Sequence, residues 1–221
     1  MTRTSNARIA GVAYLFYTAV GLANEILLSR AKNAVDNAGI LARIGEHATD
    51  VRISILLRLL ESLSALVLAV ALYGITRNED HELAMLAMLS RVAEGVIGAL
   101  AIPRYVELLW LAQARVGTSA SDVVTANALR EFLLMPGPSV PTNAIFFALG
   151  SLIFSFLLLR GRMVPRSIAL LGVFTCALLV VTLPLQLAGF STGPLTGYYQ
   201  WVPALVFQLA LSLWFLAKGV V

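Results

Sequence analysis

Long apolar runs broken by short polar stretches dominate the chain. Six runs stand out: Ile9–Leu28, Ile53–Ile75, Leu83–Ile102, Ala144–Leu159, Ile168–Leu187 and Trp201–Leu216. A hydrocarbon core about 30 Å thick needs about 20 mostly apolar residues per helix. The fourth run is short and is expected to begin nearer Val140. The pattern predicts an all-α integral membrane bundle of about six transmembrane helices, in a single domain spanning residues 1–221. Two connections are long enough to hold amphipathic helices. In residues 29–52, Ala34, Val35, Ile40, Leu41 and Ile44 stand among polar groups, as on a helix lying at a membrane surface. In residues 103–140, "RYVELLWLAQARVG" is expected to continue the third span after a kink at Pro103. "SASDVVTANALREFLLMPGP" has capping Ser and Asp residues at its start and Pro136-Gly137-Pro138 as its stop. The basic start and Gly21-x-Ala23 also fit a cleaved leader, but the apolar stretch runs on to Leu28, longer than a leader core.

Composition agrees with this pattern. The chain has 221 residues, 59% hydrophobic and 13% charged, against about 25% charged in a soluble domain. The principal partner is therefore the lipid bilayer. The net charge of +4 is read as loop arginines that set orientation, with no nucleic-acid partner. The single Cys176 allows no internal disulfide, and with only His47 and His81 beside it no zinc cluster is expected. No cofactor and no metal are expected. "RGRMVPR" carries Arg160, Arg162 and Arg166 and should face the cytoplasm, whereas "AGFSTGPLTGYYQ" has no Lys or Arg and should lie outside. Six alternating spans then place both termini in the cytoplasm.

The chain repeats Arg-x-x-Glu four times, at Arg43–Glu46, Arg58–Glu61, Arg91–Glu94 and Arg104–Glu107. The first and last read as solvated interfacial pairs. The middle two lie inside apolar runs, where a charge costs roughly 2.5–3.5 kcal/mol on insertion scales and normally faces inward with a partner. Residues three apart share a helix face. At 1.5 Å per residue, Glu25 and Arg58 fall about 25 Å from their cytoplasmic edges, Glu61 and Glu94 about 21 Å, and Arg91 about 17 Å. The five can form a ladder, Glu25–Arg58–Glu61–Glu94–Arg91, with three acids to two bases. The spare acid is left to hold a proton or meet a ligand. Glu94 and Glu61 are the candidate catalytic residues; Glu25, Arg58, Arg91, Gln208 and Tyr199 are the candidate ligand-binding residues. Gly95 and Gly98 are expected to leave room for a ligand beside Glu94. Gln208 is placed to hydrogen-bond across helices. "GYYQWVP" reads first as an outer aromatic belt, with capping of a cavity by Tyr198, Tyr199 and Trp201 as the alternative.

Several stretches carry a family resemblance: "RIAGVAYLFYTAVGL", "RISILLRLLE" followed by "VALYGI", "LSRVAEGVIGA" and, most specifically, "FFALGSLIFSFLLLRGRMVPR". Over roughly residues 7–190 the chain resembles the DUF4386 family of bacterial multi-pass membrane proteins. The resemblance implies fold and a bacterial plasma membrane, and supplies no catalytic residues. The preferred reading is an intramembrane Arg/Glu network lining a pocket for a lipophilic or amphiphilic small molecule, in a binding, sensing or accessory role. Three alternatives stay open: an acid–base isomerase or cyclase of an isoprenoid-like substrate, a proton-coupled transporter, and a structural or assembly protein.

Overall fold

The computed structural model describes residues 2–32, 37–113, 128, 141–190 and 198–220. Among these, eight α-helices follow in order: α1 (Arg3–Lys32), α2 (Asn37–Glu46), α3 (Ala48–Thr76), α4 (His81–Ala99), α5 (Ile102–Gln113), α6 (Thr142–Arg160), α7 (Arg166–Leu187) and α8 (Trp201–Ala217). A 3-10 turn at Tyr198–Gln200 leads into α8. Five stretches are long and apolar enough to cross a membrane: Arg3–Arg30, Ala48–Thr76, His81–Gln113, Thr142–Arg160 and Arg166–Leu187. The sixth apolar helix, Trp201–Ala217, is shorter. The all-α expectation of about six spans holds.

The first long connection contains α2, as its apolar spacing predicts. The break near Pro103 falls between α4 and α5: the chain turns at residues 100–101, and Pro103 enters in the first turn of α5, where a missing N–H costs little. Pro203 likewise lies in the first turn of α8, and Pro184 lies in the last turn of α7. The helix expected in "SASDVVTANALREFLLMPGP" lies outside the described residues, apart from Ala128.

The chain divides into two compact units. The second comprises Val20–Leu60 and Ala99–Gly137. There the amphipathic α2 places Leu41 and Ile44 against Leu108, Leu109 and Leu111 of α5, with Val51 of α3. The opposite face of α5 exposes Trp110.

The first unit comprises Met1–Ala19, Glu61–Gly98 and Pro138–Val221. Its core joins Ala7, Ala10 and Tyr14 of α1 to Leu68 and Leu72 of α3, Phe154 and Leu158 of α6, and Phe207, Leu211 and Phe215 of α8. Small residues on α1 permit close approach: a Cβ on Gly11 would stand 2.9 Å from Leu216 Cγ and 3.0 Å from the Ser212 carbonyl oxygen of α8. Large apolar side chains such as Val70, Phe174 and Leu213 point outward and are exposed. That is the arrangement a lipid-facing surface requires.

In such surroundings polar side chains must be satisfied internally. Thr76, Ser90, Ser155 and Ser212 donate their hydroxyls to carbonyls of their own helices. At one end of α7, Gln186 Nε2 donates to Gln200 Oε1 at 2.9 Å, Thr182 Oγ1 donates to the same oxygen at 3.2 Å, and Gln200 Nε2 returns a bond to Gln186 Oε1 at 3.3 Å. Gln200→Leu is expected to cost about 1–3 kcal/mol, because it removes the acceptor of the buried Thr182 hydroxyl. An unchanged thermal midpoint in detergent would remove this cluster from the list of stabilising contacts.

The other end of the unit gathers the chain's turns. Arg3 pairs with Glu79 at 3.6 Å, and Arg160 with Asp80 at 3.3 Å. A Cβ on Gly219 would stand 3.5 Å from Thr4 Cγ2. Both termini, the α3–α4 turn and the α6–α7 turn therefore share one end of this unit.

Candidate functional site

Helix α4 reverses the usual amphipathic pattern. Its buried stripe is Ala84, Ala87, Ser90, Arg91, Glu94, Gly95 and Gly98, while Met85, Leu86, Leu89 and Val96 are exposed. The i, i+3, i+4, i+7 spacing puts the small and charged residues on one inward face. Arg91 is wholly buried, at 0% exposure, and Glu94 is at 2%.

Two glycines make this burial possible. A Cβ on Gly150 of α6 would stand 2.8 Å from Arg91 Cγ and 3.0 Å from the Ala87 carbonyl oxygen. The aliphatic stem of Arg91 therefore runs over a bare stretch of α6. A Cβ on Gly95 would stand 2.9 Å from the Ser62 carbonyl oxygen of α3. This corrects the expectation of ligand space at these glycines. Gly95 is filled by the α3 backbone, and Gly98 faces Asn143 and Ser62 side chains at 3.4 Å. Glycine serves helix contact here, as small residues commonly do in membranes.

The Arg91 head group is held in three ways. Its Nη1 lies 2.6 Å from Glu94 Oε2. Its Cζ lies 4.9 Å from the Phe147 ring centroid, 5.2 Å from that of Tyr17 and 5.9 Å from that of Tyr14. In desolvated surroundings such cation–π contacts are worth about 2 kcal/mol or more. Arg91 Nε and Nη2 are buried with no hydrogen-bond partner among the described residues, and Nη1 meets Glu94 Oε2 only as an ion pair. The second Glu94 oxygen, Oε1, accepts a 2.6 Å bond from the Tyr17 hydroxyl. Thr18, the next residue, donates to Gln208 Oε1 of α8 at 2.8 Å.

Arg91 and Glu94 are thus joined, and Glu61 lies within electrostatic range of Glu94 and Tyr17. Gln208 makes its expected cross-helix bond. Glu25 and Arg58 belong to the second unit. Glu25 is exposed, Arg58 is half-buried, and no ion pair joins them among the described residues. That rung of the expected ladder is absent because Glu25 faces outward. Tyr199 is 82% exposed, as in an aromatic belt. Arg43, Glu46, Arg104 and Glu107 are exposed, as solvated pairs should be. His47 sits beside Asp50 at the α2–α3 turn, and His81 beside Tyr73 at the start of α4.

Tyr14, Tyr17, Phe147 and Gly150 were not singled out from sequence. For the tyrosines a signal existed: Ala7, Ala10, Gly11, Tyr14, Tyr17 and Thr18 fall on one helical face, with small residues leading to hydroxyls. Phe147 had none, being one of ten phenylalanines in an apolar chain. Among the described residues, no three His, Cys, Asp or Glu side chains gather where they could hold a metal ion.

These features define an all-helical, multi-pass membrane type of protein with a charged pair sealed among aromatic rings. The chain belongs to the family described as "Domain of unknown function (DUF4386)", whose model matches residues 9–219. The match therefore runs past residue 190 through the C-terminal helix. No curated protein and no solved structure matches the chain.

Proposed function

We propose that the Arg91–Glu94–Tyr17 set is a binding site for a lipophilic or amphiphilic small molecule carrying a hydrogen-bond acceptor, in a binding, sensing or accessory role. One observation carries the reading: a guanidinium at 0% exposure that meets Glu94 through Nη1 alone, at 2.6 Å, and whose Nε and Nη2 have no hydrogen-bond partner among the described residues. Buried donors left without acceptors cost about 1–3 kcal/mol each, more when charged. A purely structural pair would be expected to use its hydrogen bonds. Polar contact continues from Arg91 through Glu94 to the Tyr17 hydroxyl, and Tyr17 is half-buried.

The test is mass spectrometry of small molecules co-purifying with the detergent-extracted protein. Wild type is expected to carry a near-stoichiometric apolar compound. Arg91→Met/Glu94→Gln, which stays neutral overall, is expected to lose it while keeping the wild-type circular dichroism. Equal retention by both proteins would sink the binding reading and leave a helix-register clamp.

We further propose a bacterial plasma membrane location with both termini cytoplasmic. The end of the first unit that gathers both termini also holds Arg77, Arg160, Arg162 and Arg166, and basic loops favour the cytoplasmic side. In a Cys176→Ala background, a cysteine at Thr192 should react with an impermeant thiol reagent added to intact cells, and one at Asn78 should not. The reverse labelling would invert the orientation.

A further inference from the structure

A second feature, independent of the Arg91 site, lies at the end of the first unit where the termini and two turns meet. Six cationic side chains lie on or beside these helix ends and turns, Arg3, Arg77, Arg160, Arg162, Arg166 and Lys218, against the acids Glu79, Asp80 and Glu82. Glu79 and Asp80 are engaged by Arg3 and Arg160. Arg77, Arg162, Arg166 and Lys218 are exposed and form no ion pair among the described residues.

The α6–α7 turn is shaped to present two of them. A Cβ on Gly161 would stand 2.6 Å from Met163 Cε and 2.8 Å from Glu79 Cδ, so the side chain of Glu79 lies against this turn. The left-handed position falls one residue later, on Arg162, at φ 51°. Arginine is an unfavourable residue for that conformation, and such strain persists where surrounding structure imposes it. Arg166 then opens α7. Along the same helix face, at i+4 and i+8, stand Leu170 and Phe174, exposed by 37% and 72%. A cationic head over an apolar ridge matches an amphiphile with an anionic head group and acyl chains.

We propose that the α6–α7 turn is a binding site for an anionic phospholipid. Arg162 and Arg166 meet its phosphate, and Leu170 and Phe174 run along an acyl chain. Charge complementarity selects the head group, and the ridge selects a lipid over free phosphate. Each basic residue near an anionic membrane surface contributes about fivefold in affinity at moderate salt, and screening weakens it as salt rises.

The probe is phosphatidylglycerol added in mixed micelles to the purified full-length protein, with phosphatidylcholine and inorganic phosphate as comparisons. Phosphatidylglycerol is expected to bind in preference to phosphatidylcholine, less tightly as salt is raised, and not to be displaced by inorganic phosphate. Arg162→Gln/Arg166→Gln should weaken it about 25-fold, at about fivefold per arginine. Arg162→Gly should weaken it about fivefold while leaving the thermal midpoint unchanged or higher, since glycine accepts the left-handed geometry. Equal binding of the two lipids, unaltered preference in the double variant, or displacement by phosphate alone would each overturn the proposal. Retention of the compound bound at Arg91 by the same double variant is expected, which separates the two sites.

Discussion

Glu94→Ala should destabilise the protein by about 3–5 kcal/mol, because it leaves the guanidinium of Arg91 buried without a counter-charge. Arg91 is at 0% exposure, so water cannot replace the lost carboxylate without opening the helix packing. Arg91→Met should be nearly as costly in the other direction, stranding the Glu94 carboxylate with only the Tyr17 hydroxyl bond. The double variant Arg91→Met/Glu94→Gln should recover most of the loss, since it removes both charges and keeps an amide oxygen for Tyr17. The coupling is measured as a double-mutant cycle of unfolding free energies in detergent. Additive losses would mean that the 2.6 Å approach contributes no interaction energy. Tyr17→Phe separates the remaining term: it should cost about 1–3 kcal/mol, the usual range for stranding a buried acceptor.

The second large effect concerns the glycine under the arginine. Gly150→Leu should abolish folding, and Gly150→Ala should cost about 1–3 kcal/mol, the usual range for overpacking. The added Cβ would meet Arg91 Cγ at 2.8 Å and the Ala87 backbone oxygen at 3.0 Å. Backbone oxygen cannot move aside as a flexible side chain can. Gly98→Ala provides the contrast. Its neighbours are side-chain atoms of Asn143 and Ser62 at 3.4 Å, an ordinary contact distance. The same chemical change should there be neutral, or stabilising by up to about 1 kcal/mol through helix propensity. Equal effects at both positions would deny that α4 and α6 meet over Gly150.

Hydrophobic spacing alone determined the helices. A run such as Ile168–Leu187 cannot satisfy its backbone in lipid except as a helix, so class and approximate spans follow from composition and length. The arginine and glutamate of α4 were legible for a related reason. Charges three apart in an apolar run share a face and must find partners. The family was legible too, in "FFALGSLIFSFLLLRGRMVPR".

Partners were decided only by the tertiary structure. Depth along the helices puts Glu25 level with Arg58, but depth fixes one coordinate and leaves rotation about the helix axis open. Rotation turned Glu25 outward and brought Tyr14, Tyr17 and Phe147 around Arg91. Spacing likewise shows where glycines lie but not what passes over them. Gly95 and Gly98, expected to leave room, are occupied by neighbouring helices, while Gly150 carries the stem of Arg91. Side-chain identity along one helix sets its inward face. Which atoms meet that face depends on the crossing of helices far apart in the chain, and no local pattern encodes it.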